Sequence, residues 1–402
     1  MDPWFFLPPW PIHASGLLWF AVVLIVAAVA GEAVARWLRL PRLVGYVAAG
    51  VVSGPHLTGL LDPRTLSDLR MLLDLAIGLV LFELGQRVNL HWLRRNPGLL
   101  ATSLLESAAA FLAVFGVLHA LGSRPLIAAL AGAIAMATSP LVVMTITRES
   151  RAEGQVTERL LLLTTLNAIY AFVALALLLA GMHLEERSGW LVMVLHPLYL
   201  IGGSLGIALG AAGALLLLLR YLGRQEDAQV GAAIAMVVLV VTLAATLHIS
   251  VVLSLLAFGA LSRTLDRERR FASIRFGDVG LLATIIIFAL TGAAIDLSVL
   301  PAVAGPALAL VAARFLGKSA GVLALVPVSA LSVKKSALLA LALAPMSLMA
   351  VVMLQEASSV YPALSGEATA VVMASVAIME VLGPLATHYA LRWSGEAGAR
   401  NS

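Results

Sequence analysis

The chain has no cysteine. Disulfide, haem-thiolate and Cys-zinc chemistry are therefore excluded, and cysteine usage says nothing of the redox compartment. Charge is nearly as scarce: of 402 residues only 12% are Asp, Glu, Lys or Arg, against roughly 25% in a soluble domain. No Gly-rich phosphate loop lies between a strand and a helix, and no His-Glu-x-x-His run occurs. ATP or dinucleotide binding and zinc-protease activity thus have no support. No nucleophile–base or metal constellation is visible, so neither an enzyme nor a cofactor is expected. A basic region ahead of the first apolar run is missing too. That run continues for about 20 residues from Ser15 and reads as a membrane helix, not a cleaved signal.

What the chain has is apolar sequence in long runs. Hydrophobic residues make up 61%, and mean hydropathy is +1.00. The expected class is an all-α polytopic membrane protein; a porin-type barrel would alternate in strands of about ten residues. About thirteen spans of roughly 17–25 residues can be drawn, approximately 15–37, 43–61, 69–86, 98–121, 125–147, 158–181, 190–219, 228–247, 249–263, 278–296, 302–326, 336–357 and 367–391. Every odd-numbered span is followed by a basic loop. Arg36, Arg39 and Arg42 follow the first, Arg87, Arg94 and Arg95 the third, and Arg148, Arg151 and Arg159 the fifth. Arg220 and Arg224 follow the seventh, Arg263, Arg267, Arg269, Arg270 and Arg275 the ninth, Lys334 and Lys335 the eleventh, and Arg392 and Arg400 the last. The positive-inside rule then puts the N-terminus outside and the C-terminus in the cytoplasm. It also accounts for the net charge of +4 without nucleic acid. The loop 263–278 and the tail 393–402 are too short for a soluble or nucleotide-binding domain.

An odd span count makes the halves on either side of the seventh span inverted in topology. Ala137-Thr138-Ser139-Pro140 interrupts the fifth span, and Ala344-Pro345-Met346-Ser347 the twelfth, which is the fifth of the second half. Proline removes a backbone N–H and clashes with the preceding turn. In lipid, such freed groups are tolerated only against protein or a water-filled cavity. Two broken helices at matching places mark a midplane site. Thr138, Ser139, Pro140, Pro345 and Ser347 are therefore expected at a crossing of discontinuous helices.

Intramembrane charges are functional candidates by default. Arg314 and Lys318 share one face of the eleventh span at i, i+4. A compact lysine could pair with a carboxylate in one state and release a proton in another. Glu83 ends the third span, where Arg87 at i+4 offers a plain local partner. Glu106 and Glu380 have no cation at i±4, so their partners must come from other helices. Asn167 is a mid-helix amide, suited to joining helices or to offering its carbonyl to an ion.

These residues resemble the monovalent cation:proton antiporters, the sodium/hydrogen exchanger family with its Kef-type and Nap-type bacterial members, over nearly the whole chain. Leu40-Pro41-Arg42-Leu43-Val44-Gly45-Tyr46 with Gly50 and Gly54-Pro55 looks like the second-span signature, and Leu81-Phe82-Glu83-Leu84-Gly85 like the third-span motif. Ala137-Thr138-Ser139-Pro140 resembles the unwound stretch of the first crossing helix, and Gly292 with Asp296-Leu297 the end of the tenth span. Gly317-Lys318 resembles the site lysine of one branch, Arg314 stands where another places arginine, and Glu380 with Gly383-Pro384-Leu385 also recurs. The resemblance implies a homodimer in a bacterial inner membrane. A dimerisation domain would hold 1–97 and 182–300, a core domain 98–181 and 301–392, and the core would move as an elevator.

One departure is chemically large. Where the family's sixth span carries Asp-Asp or Asn-Asp, this chain has Asn167-Ala168. A methyl group can neither carry a proton nor balance a cation. The leading expectation is exchange of Na+ or K+ for H+. Glu83 or Glu106 would replace the missing acid, backbone carbonyls around Thr138–Pro140 and Ala344–Ser347 would serve with Asn167 as ligands, and Lys318 or Arg314 would act as counter-charge. The alternatives are transport of an anion or organic solute past two buried cations, and a non-transporting sensor or assembly subunit.

Overall fold

The structure, a computed structural model, describes residues 16–88, 96–185, 190–223, 225–266, 277–329, 331–346, 348–360 and 366–398. Among these there is no strand. The helices are, in order, α1 Gly16–Ala33, α2 Arg42–Ser53, α3 Pro63–Asp68, α4 Arg70–Arg87, α5 Pro97–Ala120, α6 Pro125–Met136, α7 Pro140–Glu149, α8 Gln155–Glu185 and α9 Trp190–Leu222. Then follow α10 Glu226–Thr246, α11 Val251–Leu265, α12 Gly277–Ala293, α13 Leu300–Ala324, α14 Val326–Ser329, α15 Val333–Ala342, α16 Leu348–Val360 and α17 Glu367–Trp393.

Each expected span has a helix on it, and the fifth and twelfth have two. Among the described residues, length and composition alone qualify 8 helical segments as candidate membrane spans, while Arg42–Ser53, Val251–Leu265 and Val279–Ala293 are shorter apolar helices. Helix starts follow ordinary local chemistry. Pro97, Pro125 and Pro140 stand in the first turn of α5, α6 and α7, where a missing N–H costs nothing. Ser250, Ser332 and Asp62 cap α11, α15 and α3 through side-chain oxygens.

Two sets of helices pack closely within themselves, and α8 also packs on α9. In one, α4 lies on α11, α11 on α9, and α2 between α1 and α12; in the other, α5 lies on α13 and α6, and α13 on α17 and α15. The second group contains both broken helices.

At its basic end the chain's last turn ties this group together. The Glu396 carboxylate accepts from Val156 N (2.9 Å), Thr157 N (2.8 Å) and the Thr157 hydroxyl (3.0 Å), capping the start of α8. Lys335 of α15 lies 3.5 Å away. Burial works against the Glu396 charge, but these N–H donors and Lys335 hold its carboxyl below the usual carboxylate range. Gly154 has φ +151, and a Cβ there would meet the Glu396 carboxyl carbon at 2.3 Å, so only glycine admits the clamp.

Candidate functional site at the helix crossing

α6 stops at Met136, residues 137–139 are non-helical, and α7 begins at Pro140. The Ser139 hydroxyl caps α7 by accepting from Val142 N at 3.5 Å. Pro140 therefore opens a new helix rather than kinking an old one. On the other side α15 stops at Ala342 and residues 343–346 are non-helical; Ser347 lies outside the described residues. The two breaks touch. Ser139 N donates to Pro345 O at 3.0 Å, and the Thr138 hydroxyl to Leu343 O at 3.3 Å.

Two helix C-termini meet here, so orphaned carbonyls and two partial negative charges of about 0.5 each converge. Arg314 of α13 answers both. Its Nε donates to Ala135 O (2.9 Å), Nη1 to Ala344 O (2.5 Å), and Nη2 to Ala137 O (2.8 Å), Pro345 O (3.2 Å) and Leu343 O (3.4 Å). Thr387 of α17 takes Ala342 O at 3.0 Å. One guanidinium charge thus balances two half-charges, in a residue 1% exposed. Of the carbonyls expected to coordinate a transported ion, those of Ala344 and Pro345 accept from this fork.

One turn along α13, Lys318 has different partners. Its Nζ lies 2.8 Å from Glu106 Oε2 and donates to Met136 O at 2.9 Å. Glu106, on α5, is fully buried, and its Oε1 has no hydrogen-bond partner among the described residues. Small residues create the approach. A Cβ on Gly317 would lie 2.6 Å from Ala109 O, and one on Gly321 2.3 Å from Glu106 Cα. This small-xxx-small seam lets the two backbones touch and sets ammonium against carboxylate.

Asn167 of α8 links the carboxylate helix to the break. Ser107 donates to Asn167 Oδ1 at 2.9 Å, and Asn167 Nδ2 to Thr138 Oγ1 at 3.3 Å. Ala168, beside it, is fully buried. The structure therefore brings together Glu106, Asn167, Arg314, Lys318, Thr138, Ser139 and Pro345. Ser107 and Thr387 belong with them, though nothing but a hydroxyl in an apolar helix signalled either.

Glu83 is elsewhere. It is paired with Arg148, at the far end of α7, about 13 Å from Ser139 at 1.5 Å per helical residue. Beside the local partner expected at Arg87, Glu83 thus has a partner on another helix. Glu380 is buried on α17, one turn before Gly383, whose absent Cβ leaves room for Pro345 Cα at 2.8 Å.

The family model described as sodium/hydrogen exchanger, transmembrane, matches residues 21–393. Two structures of the sodium proton antiporter MjNhaP1 from Methanocaldococcus jannaschii share the fold. One, at pH 8, gives a TM-score of 0.67 at 17% identity over 94% of this chain and 97% of that one. The other, from electron microscopy, gives 0.72 at 19% over 94% and 96%. Among curated proteins, the iron transporter MagA of Paramagnetospirillum magneticum is 28% identical over 134 residues, 33% of this chain. An uncharacterized protein in the phaC 3′ region of Methylorubrum extorquens is 36% identical over 74 residues, 18% of this chain. The chain spans 30% of the length of the first and 26% of the second.

Proposed function

Since the chain belongs to the sodium/hydrogen exchanger family, whose members are transporters and not enzymes, we propose that it exchanges a monovalent cation, Na+ or K+, for a proton at the Glu106–Lys318 pair. The observation that carries this reading is that buried ion pair at 2.8 Å, with the second carboxylate oxygen unengaged among the described residues. The acid absent at Ala168 is supplied from α5. In the proton-loaded state the Lys318 ammonium neutralises Glu106. An incoming cation takes the carboxylate, the ammonium gives up its proton, and one positive charge replaces another. A single carboxylate suits a monovalent cargo; hard divalent ions collect six or more oxygens, often from several carboxylates. Arg314 stays charged throughout, because its balance is with the helix ends. For that reason the two buried cations do not add up to an anion site.

The group containing α5–α8, α13 and α15–α17 is the mobile core, residues 98–181 and 301–392, and moves as an elevator. The group containing α1, α2, α4 and α9–α12, residues 1–97 and 182–300, is the fixed scaffold through which two copies dimerise. The basic loops face the cytoplasm of a bacterial inner membrane, with the N-terminus outside.

The test is pH-driven sodium and potassium exchange in proteoliposomes. Glu106→Gln should reduce exchange to the level of protein-free vesicles, and adding Ala168→Asp to that variant should restore part of it. Full exchange in Glu106→Gln sinks the assignment.

A further inference from the structure

α4 touches both half-helix pairs, and its contacts change character along its length. At one end Arg70 Nη2 donates to Gln355 Oε1 of α16 at 3.1 Å, in an exposed contact. In the middle, Ile77, Val80 and Leu81 face Ser139, Pro140, Leu141 and Met349 across a small apolar cavity. At the basic end, buried Glu83 is ion-paired with Arg148 of α7. The next residue, Glu149, grips a second scaffold helix: its carboxylate oxygens accept from Arg42 N at 3.1 and 3.2 Å, at the positive end of the α2 dipole. Arg42 is itself fixed by Glu32 at 2.8 Å, which also holds Arg36 at 2.6 Å.

Two successive residues at the tip of one half-helix thus hold two helices of the other group by charge, whereas at the opposite end of α4 the Arg70 guanidinium, in solvent, meets the neutral Gln355 amide. We infer that Glu83–Arg148, together with Glu149 on the start of α2, is the latch that keeps the basic mouth shut, and that Glu83 is a positioning residue and not an ion ligand. This rests on the reading that the core moves against the scaffold. A core that slides must break both contacts in every cycle, and the weaker outer contact makes the latched state the resting one. Hydrogen bonds to charged groups are among the stronger ones. Removing one partner should therefore shift the ratio of open to closed forms roughly tenfold or more.

The absence of cysteine makes the test direct. Leu141→Cys places one thiol in the interface at a position 5% exposed. In inside-out vesicles, a membrane-impermeant maleimide should label it slowly in the otherwise unchanged chain. Labelling should be about tenfold faster with Glu83→Gln, Arg148→Gln or Glu149→Gln, and slow again in the swap Glu83→Arg with Arg148→Glu. Unchanged labelling in all three single variants overturns the latch. Exchange assays on the Cys-free chain give the second readout. For a latch, Glu83→Gln lowers the apparent cation KM on the basic side and raises it on the other, since each side sees a different fraction of competent protein. A rise on both sides makes Glu83 a ligand and overturns the inference. Labelling reads the latch even if the exchange reading fails, so the two outcomes are separable.

Discussion

Arg314 and Lys318 lie one turn apart on α13, equally buried, and are held in opposite ways. Among the described residues Arg314 has only carbonyls for partners, drawn from both broken helices, and its charge is spent on two helix ends. Lys318 has a carboxylate with an oxygen to spare. A planar fork with several fixed donors, always charged, suits the first place; a point charge that can lose its proton suits the second. The contrast teaches that a buried cation near a broken helix is not by itself a transport residue. What faces it decides: dipoles and carbonyls make a rivet, and a lone acid makes an exchange site.

The largest effect should follow from breaking the rivet. Arg314→Met leaves the carbonyls of Ala135, Ala137 and Ala344 without the donor they have now, and sets two negative helix ends against each other. Each unsatisfied buried group costs about 1–3 kcal/mol, so the sum competes with a whole stability of roughly 5–15 kcal/mol. The variant should fail to elute as a monodisperse species from size-exclusion in detergent. Arg314→Lys keeps the charge but not the fork, and should fall between. A well-folded, exchanging Arg314→Met would erase the distinction between the two cations.

Lys318 and Glu106 should behave differently. Removing one partner of a buried ion pair costs about 3–5 kcal/mol, whereas replacing both by apolar groups is often neutral or stabilising by about 1–4 kcal/mol. The double variant Glu106→Leu with Lys318→Met should therefore unfold at or above the wild-type temperature, measured by thermal denaturation in detergent, yet exchange nothing in vesicles. Glu106→Leu alone should be the least stable of the set. Exchange by the double variant would move the site elsewhere.

How far these roles were legible follows the range of the interactions. The apolar runs and their order were plain, since burial in lipid is written locally. The breaks were legible through proline, but for an incomplete reason. Pro197, Pro306 and Pro384 lie inside helices that continue, so proline alone marks no break. What distinguishes Pro140 and Pro345 is that Arg314, Ser139 and Thr138 satisfy the exposed backbone, and those partners are remote in sequence. Glu106 could be read as needing a partner from another helix, and Lys318 is 212 positions away. The Glu83–Arg148 pair was not legible, because Arg87 stood at the favourable i+4 spacing while Arg148 counted only as a topology marker. Glu149 gave no signal at all, being an acid among arginines at the end of α7 that binds a backbone N–H.

The smallest change should sharpen the comparison most finely. Gly321 faces the Glu106 backbone, two turns from Arg314 and one from Lys318. A methyl at Gly321 would stand 2.3 Å from Glu106 Cα, so α5 and α13 must part where the carboxylate meets the ammonium. Overpacking of this kind costs about 1–3 kcal/mol. The crossing itself, tied by Arg314 to α6 and α15, is not on that seam. Gly321→Ala should thus lower thermal stability modestly and leave the protein monodisperse. Its effect on exchange should be larger than its effect on fold, because a lengthened Lys318–Glu106 contact changes how strongly proton and cation compete for one carboxylate. The measurement is the pH dependence of exchange: the profile should shift for Gly321→Ala and stay in place for an alanine at Gly305, on the same helix with nothing within 4 Å of its would-be Cβ. Equal profiles would mean that the spacing of the pair does not set the competition, and that Lys318 is a second rivet after all.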